Sequence, residues 1–184
     1  MPRVLILPLA LALAAGTARP AAGQGAPAAT PGLRGELIAQ FDDAATKLVQ
    51  LAEAIPQDKY TWRPGVGVRS VSEVLMHVTG GNYYVLSFAG VKAPAGTPEG
   101  GETTVTDRGQ VLAHLKQSCD FVRATIRAAS DADLQKAATM FGRPTTNRNV
   151  FLTVVTHAHE HLGQLIAYAR TNGVVPPWSM PAAR

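Results

Sequence analysis

Four stretches of this chain carry apolar residues at a spacing of three or four, the period of a helix with one buried face. The first runs from about Leu33 to Ile55, with Leu37, Phe41, Ala44, Leu48 and Leu51 in register, and Pro56 ends it. The second begins at Ser70 and reaches about Phe88, with Val71, Val74, Leu75, Val78, Val85 and Leu86 turned inward. The third spans about Thr106 to Ala129, striped by Val111, Leu112, Leu115, Cys119, Val122 and Ile126. The fourth is capped by Thr146 or Asn147 and runs to about Asn172, where Gly173 and then Pro176-Pro177 close it. No alternation of period two persists, no fixed-period repeat is present, and no heptad run is long enough for a coiled coil. Four amphipathic helices can bury their stripes only against one another, so the pattern predicts an all-α four-helix bundle.

The punctuation between the stripes refines this. Ser70-Val71-Ser72-Glu73 reads as a capping box, which gives Glu73 a structural role. Residues 89–105 are polar and rich in Gly and Pro. A connection this long predicts a crossover along the bundle between helices two and three rather than a tight hairpin. Residues 130–147 read as a loop with a short helical turn around Ala132 to Ala138. In the loop 56–69, Tyr60 and Trp62 are the large side chains, placed to cap the core or, for Trp62, to wall a pocket.

Ahead of the first helix lies a different kind of segment. Arg3 precedes an apolar run from Val4 to Ala15 and then small residues, the plan of a secretory signal peptide over residues 1–23. The run is too short to span a membrane. With no cysteine near the expected cut, no membrane anchor is expected after cleavage. The organisation read from the chain is therefore a signal peptide at 1–23, a flexible linker at 24–32, the bundle at 33–178 and a tail at 179–184, in a periplasmic protein. Removing Arg3 and Arg19 with the leader lowers the formal charge from +4 to +2. So small an excess, with no basic run, argues against nucleic acid as a partner. Cys119 is the one cysteine, so no internal disulfide can staple the fold. At helical spacing with Leu115, Val122 and Ile126 it reads as a packing thiol.

The chemistry concentrates in the fourth stripe. His157 and His161 are four residues apart, which stacks both imidazoles on the apolar face of one helix. Two polar rings there are costly unless satisfied. A buried hydrogen-bond network would satisfy them, and so would a metal, for which this is ligand spacing. The pair favours the metal. A third ligand must come from upstream, because no His, Asp, Glu or Cys follows His161. His159 points about 180° away on the helical wheel and His114 lies off its own stripe. His77 remains, beside Gly80-Gly81 and towards Tyr84, where a glycine pair costing about 1 kcal/mol per residue suggests a close helix approach. Three imidazoles with an open position suit a catalytic zinc site, and nickel and iron also suit imidazole. Glu160 is either a general base or a solvated carboxylate, and Gln164, one turn after His161, is placed to hydrogen-bond behind a ligand. His157-Ala158-His159-Glu160-His161 also matches the H-x-x-E-H peptidase signature, but the downstream acid which that reading needs is missing.

The run from Ile55 to Tyr84 (IPQDKYTWRPGVGVRSVSEVLMHVTGGNYY) together with HAHEHLGQLIAYARTNGVVPP resembles the DinB-like superfamily of damage-inducible and related proteins. Pro56, Tyr60, Trp62, His77 and the H-x-x-x-H-x-G-Q-L run carry the resemblance. It implies a four-helix bundle with a long crossover between helices two and three, and a divalent metal held by His77, His157 and His161. Dimerisation is common in that family, whose members include thiol-cofactor-dependent isomerases related to maleylpyruvate isomerase. This chain departs from the usual pattern at Glu160, where the family often has another histidine, and an exported domain meets little thiol cofactor. The functional expectation is a metal-dependent hydrolase or group transferase acting on a small molecule, with Glu160 as candidate base and Gln164, Trp62 and Tyr84 around the pocket. The competing expectation is a non-catalytic metal- or ligand-binding module.

Overall fold

The computed structural model describes residues 32–97 and 100–180; the expected leader falls outside them. Each stripe becomes a helix: α1, Leu33–Ala54; α2, Val71–Ser87; α3, Arg108–Ala128; and, after a short α4 at Asp131–Gln135, the long α5 at Asn147–Thr171. The stripes are the core. Phe41, Leu48, Leu51, Val74, Leu75, Leu86, Leu115, Ile126, Val150 and Leu165 are among the fully buried side chains. Burying each is worth roughly 1.5–3 kcal/mol relative to exposure.

Local chemistry sets the helix ends. At α2 the box is complete: Ser70 Oγ accepts from the Glu73 amide at 3.3 Å, and Glu73 accepts from the Ser70 amide at 2.7 Å. Asp107 caps α3 by accepting from the Gln110 amide. Gly173, with φ +76°, closes α5, and the next amide, on Val174, reaches back to Ala169 O at 2.8 Å.

Helix α2 packs on α3 and α5, and α1 packs on the same two, so α1 and α2 face one another across the bundle. Directions follow from the contacts. Lys116 pairs with Glu53 and Arg34 reaches Ala129 O, so α3 runs antiparallel to α1. Leu33 and Leu37 share a recess with Thr145, Arg148 and Leu152, so α5 runs parallel to α1. His77 meets His161 while Gly81 meets His157, so α2 runs antiparallel to α5. Hence α2 and α3 are parallel neighbours, and the chain between them must travel back along the bundle. The expected long crossover is this return, and its end is fastened where Gln57 Nε2 donates to Thr106 O and Gln57 Oε1 accepts from the Arg108 amide.

The connection 130–147 departs from the sequence expectation. The helical turn is there, as α4, but a β-hairpin follows: β1, Ala137–Met140, pairs antiparallel with β2, Arg143–Thr146, with Met140 opposite Arg143. Strands of four residues are too short for alternation to register as a pattern. The hairpin turns at Phe141-Gly142, both at positive φ (52° and 76°), the geometry of a two-residue turn matched to strand twist. A phenylalanine is uncommon there. Its ring packs edge-on against Phe88 at 5.0 Å, a contact that offsets the backbone cost.

Candidate metal centre

Three helical turns make the site. His157 and His161 lie one turn apart on α5, and their ring centroids are 4.5 Å apart. His77 comes from the facing turn of α2, 5.1 Å from His157 and 4.8 Å from His161. One ring nitrogen from each falls within 4.8 Å of the others. His77 Nε2 and His157 Nε2 are 3.2 Å apart, close to the roughly 3.4 Å that two nitrogens show on one tetrahedral zinc with Zn–N near 2.1 Å. The structure thus brings together all three histidines that the sequence singled out.

What lies behind the rings decides which nitrogens face inward. His161 Nδ1 donates to Gln164 Oε1 at 2.8 Å, which leaves Nε2 for the cluster. Gln164 Nε2 donates in turn to Tyr168 Oη (2.9 Å), and that hydroxyl donates to Arg69 O (3.1 Å). Gln164 therefore sits where the sequence placed it. His77 Nδ1 faces Glu102 Oε2 at 3.0 Å, and the other oxygen of that carboxylate accepts from Arg69 Nε. Among the described residues His157 has no such partner: its Nδ1 is buried without a hydrogen bond to any of them. Its ring is held by shape instead. A Cβ on Gly81 would lie 2.4 Å from His157 Cε1, whereas one on Gly80 would meet nothing within 4 Å. One glycine of the pair is thus the cradle for a ligand ring, which is the close approach that the cost of the pair suggested.

The electrostatics favour the neutral form of the two donors on α5. Burial pushes His157 down to about 4, and His161, His77 and Arg69 push the same way. Burial also lowers His161, against the opposing pull of its bond to Gln164. Burial works to raise Glu102, but Arg69 and His77 outweigh it and hold the carboxyl below its usual value. Near neutral pH the pair on α5 is therefore unprotonated, the form that binds metal. The donor set and the Gly81 cradle fit a divalent ion.

The other expected residues separate. Glu160 is exposed, and its carboxylate makes no hydrogen bond or ion pair to a described residue. Trp62 packs edge-on against Tyr168, 5.3 Å between centroids, and so supports the Gln164 relay rather than facing the rings. Tyr84 lines a cavity of about 880 Å³ with Gly80, Tyr83, Ser87 and the start of the return connection. His114 and His159 are half-buried and outside the cluster, and His159 Nδ1 donates to Val155 O. Sequence reasoning missed Glu102 and Arg69. Both lie in irregular segments, where no period announces a face.

Comparison with known proteins gives the family and the fold. The DinB superfamily matches residues 40–165. The chain belongs to the DinB superfamily. Its fold is similar to that of a DinB-like protein from Bacillus cereus, at 20% identity and a TM-score of 0.68, over 77% of this chain and 93% of the other. A DinB-like protein from Bacillus subtilis is similar at 20% identity and a TM-score of 0.62, over 79% and 95%. YfiT from Bacillus subtilis, described as a probable metal-dependent hydrolase with an unusual four-helix bundle topology, is similar at 18% identity and a TM-score of 0.61, over 77% and 88%. No match is found among curated proteins. Within this bundle, α2 supplies His77 and α5 supplies His157 and His161.

Proposed function

We propose that this DinB-superfamily chain holds a divalent metal, zinc first among candidates, through Nε2 of His77, His157 and His161, and that it is a metal-dependent hydrolase or group transferase for a small molecule outside the cytoplasm. The observation that carries the reading is the convergence of three imidazoles, two of them fixed from behind so that Nε2 faces the common point. When bound, a divalent ion in such a set supplies Lewis acidity and activates water near neutral pH. The residues of the chain do the rest. Gln164 orients His161, Gly81 lets His157 approach, and Tyr84 with Ser87 lines the space one to three turns along α2 where the body of a substrate can rest. Similarity to YfiT supports the hydrolase branch.

One observation favours the second reading, a non-catalytic metal-binding module. Hydrolysis needs a proton acceptor beside the ligands. Glu102 is engaged by Arg69 and His77, and Glu160 faces solvent. The deciding experiment measures metal content by mass spectrometry, then turnover of esters, amides and phosphoesters. About one ion per chain, lost in His161→Ala, supports the centre, and wild type without metal refutes it. Metal-dependent turnover establishes the enzyme; a loaded protein inert on all three classes is the binding module.

A further inference from the structure

We propose that Glu102 is a positioning residue for the metal centre, and that through it the connection from α2 to α3 is coupled to metal binding. This rests on the proposed function and adds to it a residue outside the three histidines. Its two oxygens are divided: one takes Arg69 Nε, from the segment before α2, and the other faces His77 Nδ1 at 3.0 Å. Because an ionised carboxylate only accepts, His77 carries a proton on Nδ1, and the neutral ring that binds a metal therefore presents its lone pair at Nε2. A carboxylate behind an imidazole ligand fixes its tautomer and raises its basicity. Gln164 supplies the same orientation to His161 without the charge. Among the described residues, Glu102 is the one carboxylate bonded to a member of the cluster.

The topology explains how a residue from a Gly-rich connection comes to be there. With α2 and α3 parallel, the chain leaving α2 must pass back along the bundle to reach Arg108. Its end is tied to Gln57 through Thr106 and Arg108. Four residues earlier, Glu102 provides the tie to α2 and to Arg69. Earlier in the connection, Thr97 Oγ1 donates to Pro94 O, and Thr97 also lies beside Tyr83 of α2. Anything that fixes the His77 ring thus fixes Glu102 and the backbone around it. By linkage, whatever the latch contributes to metal affinity, the metal returns to the latch.

The test uses the full chain, wild type, Glu102→Ala and Glu102→Gln, with far-UV circular dichroism to confirm folding. Zinc affinity, by chelator competition, falls 10–100-fold in Glu102→Ala and less in Glu102→Gln, which keeps an acceptor oxygen. In metal-free protein, nitrogen-15 NMR finds His77 protonated on Nδ1 in wild type, and this preference is lost in Glu102→Ala. Hydrogen exchange of amides 101–105 slows when zinc is added to wild type and is unchanged by zinc in Glu102→Ala. Zinc affinity within twofold of wild type, or an unaltered His77 tautomer, in Glu102→Ala overturns the positioning role. Equal zinc protection of 101–105 in both proteins overturns the coupling. A wild type that binds no zinc sinks the proposed function and the coupling together, and the metal-free tautomer then decides the positioning role alone.

Discussion

At Gly81 the side chain is absent because an imidazole occupies its place. In an exposed helix interior, Gly→Ala gains about 1 kcal/mol. Gly80→Ala should behave that way, since nothing lies within 4 Å of the new methyl. Gly81→Ala should do the opposite, because its methyl falls 2.4 Å from His157 Cε1. The expected outcome is a rise in urea midpoint for the first variant, and for the second a fall with at least tenfold weaker zinc binding. The same ring gives a pH dependence. His157 titrates at about 4 in the fold, against the ordinary histidine value of 6.5 once unfolded, so between those values the unfolded chain binds more protons. The contribution of neutral His157 to the stability of the metal-free protein is therefore fully present above about pH 6.5 and is lost as pH falls towards 4. Glu102, lowered from 4.5, adds loss in the same direction below that value. Urea unfolding of metal-free protein at pH 7.5, 6 and 5 should show the midpoint falling at each step, and a flat profile would contradict burial of neutral histidine.

Among the elements, α2 carries the most functional weight, for it supplies His77, the Gly81 cradle and one wall of the larger cavity. Its start is fixed by the capping box, and both bonds of that box were legible from Ser70 and Glu73 alone. Ser70→Ala should cost about 1 kcal/mol in denaturant unfolding. The hairpin β1–β2 was not legible. Four-residue strands joined through Phe141 carry no alternation, and the turn adopts a conformation that a phenylalanine seldom takes. What favours it is a tertiary contact, the packing of Phe141 edge-on against Phe88 and at a tilt against Tyr84.

For the molecule as a whole, an ion held by the three histidines would tie α2 to α5, two antiparallel neighbours of the bundle. An ion bound there by the folded state alone stabilises the entire domain. At a free zinc concentration 100 times Kd the gain is about 2.7 kcal/mol. For a domain of this size that corresponds to a Tm increase of roughly 5–10 °C. Differential scanning fluorimetry should show this rise with zinc, its reversal by chelator, and its absence in His161→Ala.

The sequence by itself determined the four buried stripes, the start of α2 and the close of α5, and the choice of His77, His157 and His161. Each depends on local spacing, on cap chemistry or on elimination among five histidines. The tertiary structure alone decided that Glu102 backs His77 across 25 residues, that Gly81 seats a ring from α5, and that Glu160 faces water. These are contacts between elements, set by helix direction and by the path of an irregular connection. A periodic pattern records which face of a helix is buried, but not which polar side chain from a distant loop will be laid against it.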